Sequence, residues 1–155
     1  MMAKPKVAVL IGSKSDEAAM SEAFPYLSYF GIDYELHVLS AHRNPKKTAE
    51  FASNAEKNGY SLIIAGAGMA AHLPGVVASL TILPVIGVPL SGSELSGVDA
   101  LYSIVQMPPG IPVATVAIGK AGAKNAGVLA AEIIGLTNKE VKQKLIDFRA
   151  KGSTL

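Results

Sequence analysis

Five short, nearly unbroken apolar runs recur along the chain: Val7–Ile11, Tyr34–Leu39, Leu62–Ala65, Val85–Val88 and Val113–Ile118. Short, nearly continuous apolar stretches of this kind predict strands covered on both faces. Segments with helical spacing separate them. Ser15–Phe30 carries Ala19, Ala23, Leu27 and Phe30 as its apolar positions, and Pro25 is expected to kink it or end it early. Pro45–Lys57 follows Asn44, a good N-cap, and stops before Gly59. His72–Thr81 and Val98–Gln106 are shorter, and Ala121–Leu136 is alanine-rich and apolar almost all round, as a buried helix is. Alternating strands and helices imply a parallel sheet with helices on both faces. Right-handed crossovers then give an α/β fold, a doubly wound, layered parallel sheet. Beyond it, Thr137-Asn138-Lys139-Glu140 reads as a capping box opening an extra C-terminal helix, Lys139–Ala150. Val141, Leu145, Ile146 and Phe148 give that helix an apolar face that needs a surface to dock on, in the same subunit or a neighbouring one.

Composition narrows the function classes. A chain of 155 residues fits one domain, with a core over about 6–136 and the last helix at 139–150. Half of the residues are apolar and 17% are charged, below the usual share of about 25%. That balance points to a homo-oligomer with apolar interfaces. A net charge of +2 without a basic stripe argues against a nucleic-acid partner. The absence of cysteine removes disulfides, thiolate metal sites and cysteine nucleophiles. The start, Met1-Met2-Ala3-Lys4-Pro5-Lys6, does not read as a signal peptide, and no apolar run approaches the roughly 20 residues of a membrane span. A soluble, cytoplasmic protein without a membrane partner is expected.

In open α/β sheets, ligands bind at the carboxyl ends of the strands. The first strand leads into Gly12-Ser13-Lys14-Ser15-Asp16, the second into Ser40-Ala41-His42-Arg43-Asn44-Pro45, and the third into Gly66-Ala67-Gly68-Met69-Ala70-Ala71-His72-Leu73-Pro74-Gly75. The fourth and fifth lead into Pro89-Leu90-Ser91-Gly92-Ser93 and Gly119-Lys120-Ala121-Gly122. Small residues let backbone amides approach a ligand. Loops one and three each feed a helix start, an arrangement that favours an anion. His42 can move a proton near neutral pH, and Arg43 beside it can hold a phosphate with two parallel hydrogen bonds. Ser13 can donate to a phosphate and Asp16 suits ribose hydroxyls, although Ser13 with Asp16 equally fits a plain capping box. His72 stands near the same edge, either in the site or bonding a nearby carbonyl. His37, in mid-strand, reads as structural, and Lys120 as a solvated surface charge. Two histidines without a clustered carboxylate make a poor metal site, so none is expected. Ser91 and Ser93 lack partners for a serine-nucleophile triad.

These blocks resemble the aminoimidazole ribonucleotide carboxylase family, and within it the N5-carboxyaminoimidazole ribonucleotide mutase (PurE) branch. The likeness is carried by Gly12-Ser13-Lys14-Ser15-Asp16, Ser40-Ala41-His42-Arg43, Ala65-Gly66-Ala67-Gly68 and Ala70-Ala71-His72-Leu73-Pro74-Gly75. It continues through Leu95-Ser96-Gly97-Val98-Asp99, Leu101 to Pro108, Gly110-Ile111-Pro112-Val113 and Ala117 to Ala123, so it spans about Val7 to Gly135. The resemblance implies a flavodoxin-like three-layer fold and a homo-octamer. It implies interconversion of N5-carboxyaminoimidazole ribonucleotide and 4-carboxy-5-aminoimidazole ribonucleotide, in purine biosynthesis, without metal, nucleotide cofactor or biotin. The carboxylate leaves N5 as carbon dioxide, stays trapped and is captured by C4. His42 becomes the proton shuttle; Ser13, Asp16, Ser40 and Arg43 become substrate contacts, with Gly68 and His72 on the loop that closes over the ring.

The likeness has departures. Glu17 stands where tryptophan is common, Met69 where glycine is usual, and Pro25 interrupts a helix that often lacks it. Two competing readings remain at this stage. A related branch carboxylates aminoimidazole ribonucleotide directly, but its loop typically reads Ala-Gly-Arg-Ser-Asn, unlike Ala65-Gly66-Ala67-Gly68. A flavodoxin-like module holding FMN without chemistry is the other; six per cent aromatics and no tryptophan give a flavin few stacking surfaces.

Overall fold

The computed structural model describes residues 4–155; Met1–Ala3, part of the segment read as lacking a leader, lie outside the described residues. The strands are β1 (Lys6–Ile11), β2 (Asp33–Val38), β3 (Leu62–Gly68), β4 (Val85–Leu90) and β5 (Ala114–Thr115). The helices are α1 (Glu17–Met20), α2 (Phe24–Phe30), α3 (Pro45–Asn54), α4 (Leu73–Ala78), α5 (Val98–Val105), α6 (Lys120–Gly135) and α7 (Lys139–Ala150). All strand pairs are parallel, in the order β2-β1-β3-β4-β5. That is the flavodoxin-like order, and its switch point lies between β1 and β3.

Successive side chains of a strand face opposite ways, so each central strand feeds two cores. Val7, Val9, Ile11, Leu62, Ile64, Ile86 and Val88 pack with Met20, Leu27, Phe30, Ala126, Ala130 and Phe148 on one face. Ala8, Leu10, Ile63 and Ala65 pack with Ala52, Leu73, Val77, Ala100 and Ile104 on the other. Helices therefore cover both sides of the sheet, as the alternation of elements implies.

The edges depart from the expectation of strands buried on both faces. β2 is an edge strand, with Asp33 and Glu35 exposed and Val38 44% exposed. Its polar side is organised: the Tyr60 hydroxyl donates to Glu35, Lys6 Nζ stands 2.7 Å from Glu35, and His37 Nε2 stands 3.0 Å from the Tyr60 oxygen. These bonds, from Lys6 first and Tyr60 second, hold the Glu35 carboxyl below its usual range. The expected strand over Val113–Ile118 shrinks to two residues. Val116 and Gly119 still donate to Gly87 and Pro89 oxygens, so Pro89 faces this segment and has no N–H to return.

The helices differ at their ends. The segment read as one helix over Ser15–Phe30 is broken: 3-10 turns at Lys14–Asp16 and Ser21–Ala23 flank α1, and Pro25 sits in the first turn of α2, where its missing N–H is harmless. Gly31, at φ 75°, turns the chain out of α2. α3 and α4 stop three residues before the expected Lys57 and Thr81, and α5 one residue before Gln106. α6 buries one face, Ala123, Ala126, Gly127, Ala130, Ala131 and Ile134, rather than its whole circumference. α7 is capped by Asn138, whose side chain accepts from Glu140 and Val141 N–H groups, while Thr137 Oγ1 turns back to Ile134; the expected Thr137 cap is not formed. α7 docks within its own chain, Phe148 meeting Phe30 edge-on at 5.3 Å, and leaves Ile146 exposed.

Candidate active site

The loop after β1 forms the capping box. Ser13 N–H donates to Asp16 Oδ2 at 3.1 Å, and Ser15 N–H donates to Ser13 Oγ at 3.4 Å. Burial raises the Asp16 carboxyl above its usual range, and the Ser13 N–H partly offsets that rise. The expectation of helix ends gripping an anion in loops one and three is corrected by length. The turn after loop one has three residues, followed by a four-residue α1, and α4 has six. So few aligned peptides supply little dipole.

The loop after β2 is closed on itself. Asn44 N–H donates to the Ser40 carbonyl at 3.0 Å, Arg43 N–H to Ser40 Oγ at 3.1 Å, and Ser40 N–H to Asn44 Oδ1 at 2.6 Å. Asn44 occupies the N-cap position of α3, but its side chain serves the loop, not the helix. Thr48, fully buried, sends its hydroxyl toward the Ser40 and Asn44 carbonyls at 3.2 and 3.1 Å. This clamp leaves His42 and Arg43 as the exposed tip of a rigid turn. Among the described residues no carboxylate pairs with Arg43.

The loop after β3 turns sharply. A Cβ at Gly68 would lie 3.2 Å from the Leu90 carbonyl, a tight approach that glycine avoids. Met69 is left-handed, at φ 55°, and His72 N–H donates to the Ala70 carbonyl at 2.8 Å. The turn delivers His72, at the head of α4, to the tip of the β2 loop. Its Nδ1 lies 2.7 Å from Nε2 of His42, with the two rings edge to face at 4.8 Å. In such a contact one ring nitrogen carries hydrogen and the other offers its lone pair.

These loops line a cleft of about 480 Å³ at the switch point. Ser13, Asp16, Ser40, His42, Arg43, Gly68 and His72, the seven residues singled out in the sequence, all face it. Gly12, Ser15, Ala41 and Gly92 join them. Ala67, Ala70 and Leu73 give an apolar wall, while Ala71 and Pro74 lie buried behind it. Lys120 is not in the cleft; it stands 3.8 Å from Glu22. Ser91 and Ser93 also lie outside. A larger groove, about 730 Å³, opens between β2 and α3 beside His37, Lys47 and Glu50. It gathers no guanidinium or second imidazole, and His37 there already engages Tyr60. Chemistry therefore favours the smaller cleft. Among the described residues no group of three or more metal-ligating side chains is assembled, and no helix is long and apolar enough to cross a membrane.

The roles of Asn44 and Thr48 in holding the turn were not read from the sequence. The available signal was a hydroxyl four residues after an Asn that itself follows a serine by four.

Residues 6–154 match the AIR carboxylase family. A protein of Haemophilus influenzae named N5-carboxyaminoimidazole ribonucleotide mutase is 58% identical over 144 residues, 93% of this chain and 88% of the relative. One of the same name from Saccharolobus solfataricus is 60% identical over 144 residues, 93% of this chain and 90% of the relative. The crystal structure of Treponema denticola PurE superposes with a TM-score of 0.87 at 30% identity, covering 97% of this chain and 92% of that one.

Proposed function

The chain belongs to the AIR carboxylase family, and from that premise we propose how its cleft performs the family's chemistry. It is an isomerase of purine biosynthesis that interconverts N5-carboxyaminoimidazole ribonucleotide and 4-carboxy-5-aminoimidazole ribonucleotide, a reading supported by relatives named N5-carboxyaminoimidazole ribonucleotide mutase. His42 carries the proton. When the carboxylate leaves N5 as carbon dioxide, the nitrogen takes up a proton. When C4 bonds to the same carbon dioxide, the ring gives a proton up. One imidazole that donates in the first step and accepts in the second closes the balance. The single observation that supports this role is the 2.7 Å contact with His72, which holds the ring at the cleft.

The remaining groups divide the nucleotide between them. Arg43, free of carboxylate partners and on the same rigid turn, grips the phosphate. The hydroxyls of Ser13 and Ser40 add donors, and Asp16 accepts from the ribose. Gly68 and His72, both lining the cleft, belong to the loop that closes over the ring. Ala67, Ala70 and Leu73 exclude water from the hollow in which carbon dioxide waits. The chemistry needs no metal or organic cofactor.

We read the chain as one cytoplasmic domain that assembles as a homo-octamer. An exposed apolar stripe of Val98, Tyr102 and Val105 along α5, with Leu95 beside it, supports association.

Two assays of the purified chain test the reading. N5-carboxyaminoimidazole ribonucleotide is expected to convert without added bicarbonate. Conversion of aminoimidazole ribonucleotide plus carbon dioxide alone would contradict it. A visible spectrum is expected to show no bound flavin.

A further inference from the structure

Every residue from Ala65 to Ala71 is alanine or glycine except Met69. That exception sits where the backbone least welcomes it. Its φ of 55° lies in the left-handed region, which favours glycine, and its side chain is 61% exposed although it lines the cleft. Packing does not explain the residue, because so little of it is buried. Strain of this kind persists at a cleft where the side chain does something once a ligand is present. Methionine has three rotatable side-chain bonds and a thioether that makes favourable contacts with aromatic rings. At the mouth of a hollow whose inner wall is alanine and leucine, it is the flexible apolar group able to cover a bound heterocycle.

We propose that Met69 is the mouth cover of the cleft: with nucleotide bound, its side chain folds over the ring and keeps the released carbon dioxide inside until C4 captures it. This rests on the decarboxylation and recapture described above. The first step breaks the N5–carboxyl bond to give carbon dioxide and a protonated nitrogen. The second forms the C4–carboxyl bond and returns the C4 proton to the imidazole. An open mouth lets bulk carbon dioxide exchange between these steps; a covered one does not. The role is one of retention, so it acts on the fate of the carbon in each turnover.

The test supplies substrate labelled with carbon-13 in its carboxylate, in buffer with excess unlabelled bicarbonate, and measures label retained in the product by mass spectrometry. Met69→Ala removes the cover but keeps a side chain under the same backbone constraint; Met69→Gly removes both; Met69→Leu keeps an apolar cover. The parent chain and Met69→Leu are expected to retain most of the label. Met69→Ala and Met69→Gly are expected to lose several-fold more of it per turnover. Retention by Met69→Ala equal to the parent overturns the proposal, including the case in which Met69→Gly alone leaks, because the backbone would then be responsible. Leakage by Met69→Leu equal to that of Met69→Ala overturns it as well. The parent arm reports separately on the underlying reaction: no conversion, or no retention by the parent, removes that reading and this inference together.

Discussion

Nε2 of His42 and Nδ1 of His72 meet at 2.7 Å across two loops that are 30 residues apart in the chain. The contact joins the ends of β2 and β3, on opposite sides of β1. In the mechanism proposed above, this contact makes His72 a positioning group for His42, holding the tilt of the proposed proton-carrying ring. Replacing His72 by alanine is expected to lower kcat by up to about 100-fold, the scale of a misplaced reacting group. The pH profile of kcat is expected to shift as well, and His72→Gln should recover part of the rate because an amide can still donate or accept. An unchanged pH profile in His72→Ala would leave His72 a purely structural residue. Steady-state kinetics across pH decide between the two.

Arg43 offers a charge that no carboxylate neutralises among the described residues. Arg43→Ala is expected to weaken nucleotide binding by about 1.5–3 kcal/mol, the worth of a charge-assisted hydrogen bond. That is roughly a 10- to 150-fold rise in Kd. Calorimetric titration with product nucleotide measures it, and an unaltered Kd would take the phosphate away from this residue.

Thr48 is a buried hydroxyl spent on two loop carbonyls. Thr48→Val keeps the shape and removes the bond, at about 1 kcal/mol of stability. Because the turn it clamps carries both His42 and Arg43, kcat/KM is expected to fall by more than the stability change alone requires. Thr48→Ser should restore both. A Val variant with full activity would show that the turn holds without the clamp.

Asp16 gives a pH dependence with a definite sign. Burial raises its folded carboxyl above the ordinary value of 3.8. The stability it contributes is therefore fully present below that ordinary value and is lost as pH rises through the folded one. In Asp16→Asn this loss disappears, so the melting temperature of the variant relative to the parent should climb with pH from the carboxylate range toward neutrality. A constant difference across that range would mean that Asp16 titrates as an ordinary exposed carboxyl.

Much of this molecule is legible in its residues, for reasons that also set the limits. Strands buried on both faces write unbroken apolar runs, so Val7–Ile11 and Leu62–Ala65 declare β1 and β3 directly. The same rule misleads at the edges. Tyr34–Leu39 looks equally apolar if Glu35 and His37 are passed over, yet β2 has an exposed side where Lys6, Tyr60 and His37 gather around Glu35. Val113–Ile118 reads as a full strand, and only the neighbour's Pro89 explains why its ladder is so short. The cleft residues were readable because each follows a strand. The His42–His72 bond was not, because pairing between loops depends on the left-handed turn at Met69, a conformation that a methionine does not advertise. Asn44 announced a helix cap and instead tied its own loop, since its side chain finds the Ser40 N–H at 2.6 Å.

The most direct test of the account is His42→Asn, assayed for conversion of N5-carboxyaminoimidazole ribonucleotide alongside calorimetric binding of the product nucleotide. With the proton carrier gone and the phosphate grip intact, turnover is expected to fall by at least about 10²–10⁴-fold, while the nucleotide Kd stays close to that of the parent. Turnover near the parent's rate in that variant would contradict the assignment of the proton to His42.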